Sequence, residues 1–185
     1  MLDVIRSRAD VRITFDDSNA SDHAIALPAL LDRGLRAKFF VVAGRLDREG
    51  YLNREQVRSL VAAGMQIGSH GMYHQRWVGL SPSGSALEIQ GTKNTLENLV
   101  EMPVLDAACP FGSYDRRTLS QLRHAGFATV YTSDGCRADS AAWLQPRFSL
   151  RRSQTAADLL SLLSSSPGPL RRAATASKLC FKRWR

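Results

Sequence analysis

The 185-residue chain has no run of about 18 apolar residues, so no membrane-spanning helix is read in it. It opens MLDVIRSRADVRITFDD, with charges where a signal peptide's apolar region would have to lie, and a cytoplasmic location is expected. Cysteine is scarce. Cys109, Cys136 and Cys180 are three in number and widely spaced, which excludes a disulfide framework or a zinc ribbon and points to reduced thiols. No glycine-rich phosphate loop follows the first strand-like segment, which argues against a nucleotide-dependent transferase. No interleaved aromatic and basic motif of a nucleic-acid module appears, so nucleic acid is set aside as a partner. Acidic residues are also in deficit, 17 against 25 Lys and Arg, for a formal charge of +8.

Much of that excess lies at the end. The segment LRRAATASKLCFKRWR carries Arg171, Arg172, Lys178, Lys182, Arg183 and Arg185 and no acid. With Leu170, Leu179, Phe181 and Trp184 it reads as a basic amphipathic helix, either packed on the domain or lying against an anionic membrane. Length and a 44% hydrophobic content fit one globular domain. Residues 1–165 are assigned to it and 166–185 to a basic C-terminal helical tail.

Alternation of elements fixes the fold class. Val11 to Phe15 alternates and is β-branched, as a strand does. Asp22 is placed as the N-cap of a helix through Leu31 that ends at Gly34, with Pro28 predicting a kink or late start. Ala37 to Val42 is a second strand. Asn53 and Gln56 form a capping box opening a helix that ends at Gly64. Met65 to Gly68 is a third strand. Then follow a helix from about Pro82 to Val100, a strand from Leu105 to Cys109, a helix from Arg116 to Ala125, a strand from Ala128 to Thr132, a short strand near Gln145 to Leu150, and two helices divided by Ser164-Ser165-Ser166-Pro167-Gly168-Pro169. Such an order builds βα units on a parallel sheet, either an open doubly wound sheet or an incomplete barrel.

In either case reactive residues gather at the C-terminal strand ends. Asp16-Asp17, His70, Pro110-Phe111-Gly112 and Asp134 all fall there. His70 and His74 are weak evidence alone, as is an acidic pair. Together at neighbouring strand ends they match a catalytic divalent site, with about three nitrogen and oxygen ligands and one open position. The second carboxylate is then free to act on water.

Three segments carry a family resemblance. Thr14-Phe15-Asp16-Asp17-Ser18 resembles the TFDDG motif of polysaccharide deacetylases, the nodulation-type chitooligosaccharide deacetylase homology family of carbohydrate esterases. Ser69-His70-Gly71-Met72-Tyr73-His74 resembles its H-[ST]-x-x-H motif, and Pro110-Phe111-Gly112-Ser113-Tyr114 its PYGSY segment. They occur in the family's order, within a stretch from about Val11 to Leu150. The resemblance implies a distorted, incomplete (β/α) barrel of about six to seven parallel strands. It implies a divalent metal on Asp17, His70 and His74, with Zn2+ first and Co2+, Ni2+ or Mn2+ as alternatives. It makes Asp16 the general base and the Phe111 backbone N–H the oxyanion donor, with Pro110 and Gly112 shaping the turn. Acetylated saccharide is the implied substrate, as in surface exopolysaccharide biosynthesis.

Several positions depart from the pattern. Ser18 stands where the family has Gly, so a turn needing positive φ is expected to shift to Asn19. Ala108 stands where many members have the Arg that orients the base, and Arg147 is the candidate replacement. The family's late histidine, which protonates the leaving amine, has no counterpart after His124. His124 itself is assigned to a helix C-terminus. His23 is the candidate replacement acid, and an ester substrate would need that acid less. Asp134 and Trp143 echo an acetyl-pocket motif at altered spacing. Tyr114 and Trp77 are left open between sugar contact and core packing. Alternatives to the deacetylase are a metal hydrolase of a small non-sugar amide and a non-catalytic carbohydrate-binding relative.

Overall fold

The computed structural model describes residues 1–164 except Ser7 and Arg152, together with Ser177, Lys182 and Trp184. Six short strands carry the architecture: β1 (Ile13–Phe15), β2 (Ala37–Val41), β3 (Gln66–Ser69), β4 (Asp106–Ala108), β5 (Thr129–Thr132) and β6 (Leu144–Pro146). They pair in chain order and all in parallel, so each connection returns over the same outer face. The helices are α1 (Leu2–Ile5), α2 (Leu27–Leu31), α3 (Arg54–Ala62), α4 (Pro82–Ala86), α5 (Thr92–Val100), α6 (Arg116–His124) and α7 (Ala156–Ser164). None of the described helices is long and apolar enough to cross a membrane.

Strand alternation divides the interior in two. Phe39 and Val41 of β2 point outward into the main core with Leu30, Leu60, Ile67, Leu96, Ala107, Leu122 and Val130. Phe40 points the other way and forms a small separate cluster with Ala108 and Tyr131. Two residues before Phe40, and so on the same inner face, Lys38 pairs with Asp106 at 2.6 Å and donates to the Tyr131 hydroxyl at 3.2 Å. The sheet curls around this inner column far enough for Arg147, just past β6, to bond Thr14 Oγ1 of β1 at 2.8 Å. The result is a half-barrel of six parallel strands, the incomplete (β/α) barrel expected from the sequence.

Differences from the sequence reading are local. Five strands are shorter by one to three residues, because flanking residues leave the ladder for loops, and β3 keeps its four residues but shifts by one. Asn53 and Gln56 do form the capping box, with reciprocal bonds of 2.8 and 2.9 Å. Asp22 is not an N-cap: Ser21 holds that place, and Asp22 lies buried inside a π-helical turn, Asp22–Ala26, which leads into α2. Pro28 falls in the first turn of α2, directly after the π-helical turn. The helix read from Pro82 to Val100 is interrupted by a π-helical turn, Leu87–Gly91, between α4 and α5. Most of the basic tail, including Cys180 and the second terminal helix, lies outside the described residues.

Candidate metal and catalytic centre

Loops after β1, β3, β4 and β5 meet at one rim of the half-barrel. Each leaves its strand sharply, and the backbone records it. Six described residues other than glycine have positive φ, and four of them are here: Asp17 at +79°, Ser18 at +62°, His74 at +54° and Phe111 at +58°. Side chains pay sterically for that region, and such residues concentrate where function over-determines geometry. The turn does not shift to Asn19 as the sequence suggested. Ser18 takes the left-handed conformation itself, buried, with its Oγ accepting from Val42 N–H at 2.7 Å. A glycine could not make that bond.

Asp17, His70 and His74 bring one ligand atom each to within 4.8 Å of one another. His74 Nε2 lies 3.0 Å from Asp17 Oδ1, and His70 Nε2 lies 3.9 Å from both Asp17 Oδ1 and Asp16 Oδ2. The buried His70 has its Nδ1 2.8 Å from the Ala108 carbonyl, so Nδ1 carries the proton and Nε2 offers a lone pair to the cluster. Burial depresses the basicity of both imidazoles, and for His74 the neighbouring His70 adds to it. Two imidazole nitrogens and one carboxylate oxygen, on loops that leave the strand ends, with His70 oriented by an outer hydrogen bond to a carbonyl, suit a borderline divalent cation.

Asp16 is held differently from Asp17. Burial pushes its carboxyl up, but Arg147 outweighs this and holds it below the usual carboxylate range. The guanidinium grips both oxygens, Nη1 to Oδ1 and Nη2 to Oδ2, each at 2.8 Å. Its carbon stands 5.1 Å from the Phe40 ring and 5.7 Å from that of Tyr131. The Ala108 methyl, in the same inner cluster as those two rings, leaves room for it.

The loop after β4 brings Phe111 against His74 of this cluster. Pro110 and Gly112 are buried, while Phe111 is 57% exposed with its ring 4.5 Å from that of His74. Behind it, Tyr114 is buried and its hydroxyl donates to Asp134 Oδ2 at 2.9 Å. Asp134 also accepts from Thr132 Oγ1 at 2.6 Å and from Lys182 Nζ at 2.6 Å. Burial raises the Asp134 carboxyl, and these partners more than reverse that. Lys182 also donates to the Gly112 carbonyl at 3.0 Å, so this residue of the basic tail lies against the site.

Two sequence candidates do not join the cluster. His23 is in contact with Ser59 Oγ of α3 at 3.1 Å, which occupies its Nε2 away from the carboxylates. Trp143 donates to the Phe127 carbonyl at 2.8 Å and stacks under Arg123 at 4.1 Å, so it packs α6 rather than an acetyl pocket. Trp77 is likewise core, 1% exposed. His124 bonds the Ser120 carbonyl at a helix end, as read.

Sequence reasoning missed Arg45 and Glu88. Arg45 Nη1 lies 3.3 Å from Asp17 Oδ1 and Nη2 lies 3.2 Å from His74 Nδ1. Its signal was faint, a lone basic residue after Ala43-Gly44 at a strand end. Gly44 is required there because a Cβ would come 2.6 Å from the Met72 carbonyl.

A curled parallel half-barrel with two imidazoles, an aspartate and a second, arginine-clamped aspartate at its rim is the incomplete (β/α) barrel of a deacetylase-like hydrolase. The polysaccharide deacetylase family model matches residues 4–130, well over half of the chain, and the chain belongs to that family. It is 27% identical over 124 residues to the "Putative polysaccharide deacetylase YxkH" of Bacillus subtilis (strain 168), covering 67% of this chain and 44% of that protein. The chain thus spans less than half the length of this curated relative. Among solved structures, the Streptococcus pyogenes deacetylase PplD in complex with acetate superposes with a TM-score of 0.78 at 22% identity, over 84% of this chain and 70% of that one. A BA3943 mutant, described as a CE4 family pseudoenzyme with restored enzymatic activity, superposes at 0.57 with 22% identity, over 64% and 43%.

Proposed function

We propose that this chain is a metal-dependent hydrolase that removes acetyl groups from an N- or O-acetylated carbohydrate. The observation that carries the reading is the pairing of Asp17, His70 and His74 with a separate, charged Asp16 beside them. Zn2+ suits the two-nitrogen, one-oxygen donor set best, with Co2+, Ni2+ and Mn2+ as alternatives. A divalent cation held there supplies Lewis acidity toward an acyl oxygen and a water. Asp16, kept ionised by Arg147, accepts a proton from the attacking water. The Phe111 N–H donates to the developing oxyanion, presented by a turn that Pro110 and Gly112 hold. Tyr114 and Asp134 support that turn from behind.

No imidazole other than the metal ligands reaches the cluster among the described residues. An O-acetyl ester, whose alkoxide leaves more readily than an amine anion, therefore fits better than an amide. The same observation favours a second reading, a carbohydrate-binding relative without turnover.

Acetate release from a panel of N- and O-acetyl sugars tests both, using metal-free, Zn2+-loaded and Co2+-loaded protein with an Asp16→Asn control. Metal-dependent release abolished in the control supports the hydrolase. Sugar binding without release across the panel supports the second reading.

A further inference from the structure

The metal reading leaves one buried charge unused. Glu88 lies in the π-helical turn Leu87–Gly91 and is 0% exposed. Among the described residues no cation pairs with it. It accepts instead from four donors of the loop that carries His74. Oε2 takes Met72 N–H at 3.0 Å and Trp77 Nε1–H at 3.3 Å, and Oε1 takes Tyr73 N–H and Gln75 Nε2–H, both at 2.9 Å. The donors bracket His74 on both sides. Gly71, at φ +82°, has no room for a side chain because a Cβ would collide with Glu88 Oε2.

A buried carboxylate without a counter-ion is tolerated only when hydrogen bonds replace its lost hydration. All four donors must be in place together, and they are together only in this loop conformation. Any other path for residues 71–77 strands the charge. The loop in turn fixes His74, whose left-handed backbone brings Nε2 to 3.0 Å from Asp17.

We propose that Glu88 is a positioning residue for the metal site, presetting His74 without touching the cation; this rests on the metal reading above. Glu88 acts through the loop, so its removal loosens one ligand and leaves the other two in place. Loss of such outer partners weakens metal affinity by about 10- to 100-fold.

The test is Zn2+ affinity by competition with a chromophoric chelator, with hydrogen exchange of the metal-free protein. Glu88→Gln keeps the shape but sets an NH2 against N–H donors. It is expected to weaken Zn2+ about 10- to 100-fold and to speed exchange at Met72 and Tyr73. Glu97→Gln is the control, since the hydrogen bonds of Glu97 of α5 go to Lys93 and the Val104 N–H and not to the loop. It is expected to lower thermal stability with Zn2+ affinity unchanged. If Glu88→Gln does not fold, Gln75→Ala removes one donor from the surface and is expected to weaken Zn2+ measurably, by a smaller factor. Wild-type affinity in folded Glu88→Gln, or in Gln75→Ala when that variant decides, overturns the proposal. A wild-type protein that binds no Zn2+ overturns the metal reading itself and this proposal with it.

Discussion

Arg147 and Asp16 stand 131 positions apart in the chain and meet through two parallel hydrogen bonds of 2.8 Å. A fork of this kind fixes both the charge and the direction of a carboxylate. The family's usual place for such an arginine, on the fourth strand, holds Ala108. In this chain the guanidinium that grips Asp16 comes instead from just past the sixth strand.

Arg147→Ala is therefore expected to lower turnover about 100-fold and to leave Zn2+ affinity within a few-fold of wild type. Asp16 would then keep the burial that raises its pKa and lose the arginine that lowers it. The acidic limb of the kcat/KM profile should move to higher pH. Adding Ala108→Arg should restore part of the activity. A double variant as slow as the single one, or an unmoved acidic limb, would refute the swap.

Ser18 should divide strain from hydrogen bonding. Ser18→Ala keeps the left-handed strain and strands the Val42 N–H, at a cost of about 1–3 kcal/mol. Ser18→Gly loses the same bond but relieves the backbone, so it should cost clearly less. Urea denaturation of the two variants measures the difference. A glycine variant less stable than the alanine variant would contradict the assignment.

Asp22 gives a stability signal with a definite sign. Burial pushes its pKa up to about 7, with Asp17 and Asp16 adding to the rise. Between the ordinary carboxylate value and 7, the folded chain keeps a proton that the unfolded chain loses, so stability falls as pH rises. The slope is at most about 1.4 kcal/mol per pH unit. In chelator-treated protein, Asp22→Asn should raise Tm at pH 8 and change it little near pH 4. Equal shifts at the two pH values would remove the titration from the account.

Binding of the cation should also appear as stability. Saturating Zn2+ should raise the Tm of wild type by mass action, and the rise should vanish in His74→Ala. A rise that persists in His74→Ala would place the ion elsewhere.

The order of strands was legible because short β-rich runs alternate with capped helical segments, as at Ala37 and Asn53. Asp17, His70 and His74 were legible because strand ends in a parallel sheet share one rim. Arg147 could be inferred only because Ala108 left Asp16 without a cation. Glu88 left a signal that went unused, a carboxylate among Ser85, Ile89, Thr92 and Leu96 on the buried helix face. The π-helical turn that carries it has no comparable mark, since one extra residue in a turn hardly disturbs a 3.6-residue period. Trp143 was placed by a motif echo at altered spacing, and His23 by its nearness to the end of β1. Proximity in sequence to a strand end does not say which way a side chain leaves it.

The clamp across the half-barrel also orders events in time. Ribosomal synthesis delivers Asp16 and Asp17 early, the two ligand histidines midway, and Arg147 only after the sixth strand has emerged. A nascent or prematurely ended chain that stops before Arg147 would carry every motif residue of the metal site with its base unclamped. On the proposed roles, competence would be the last property the domain acquires.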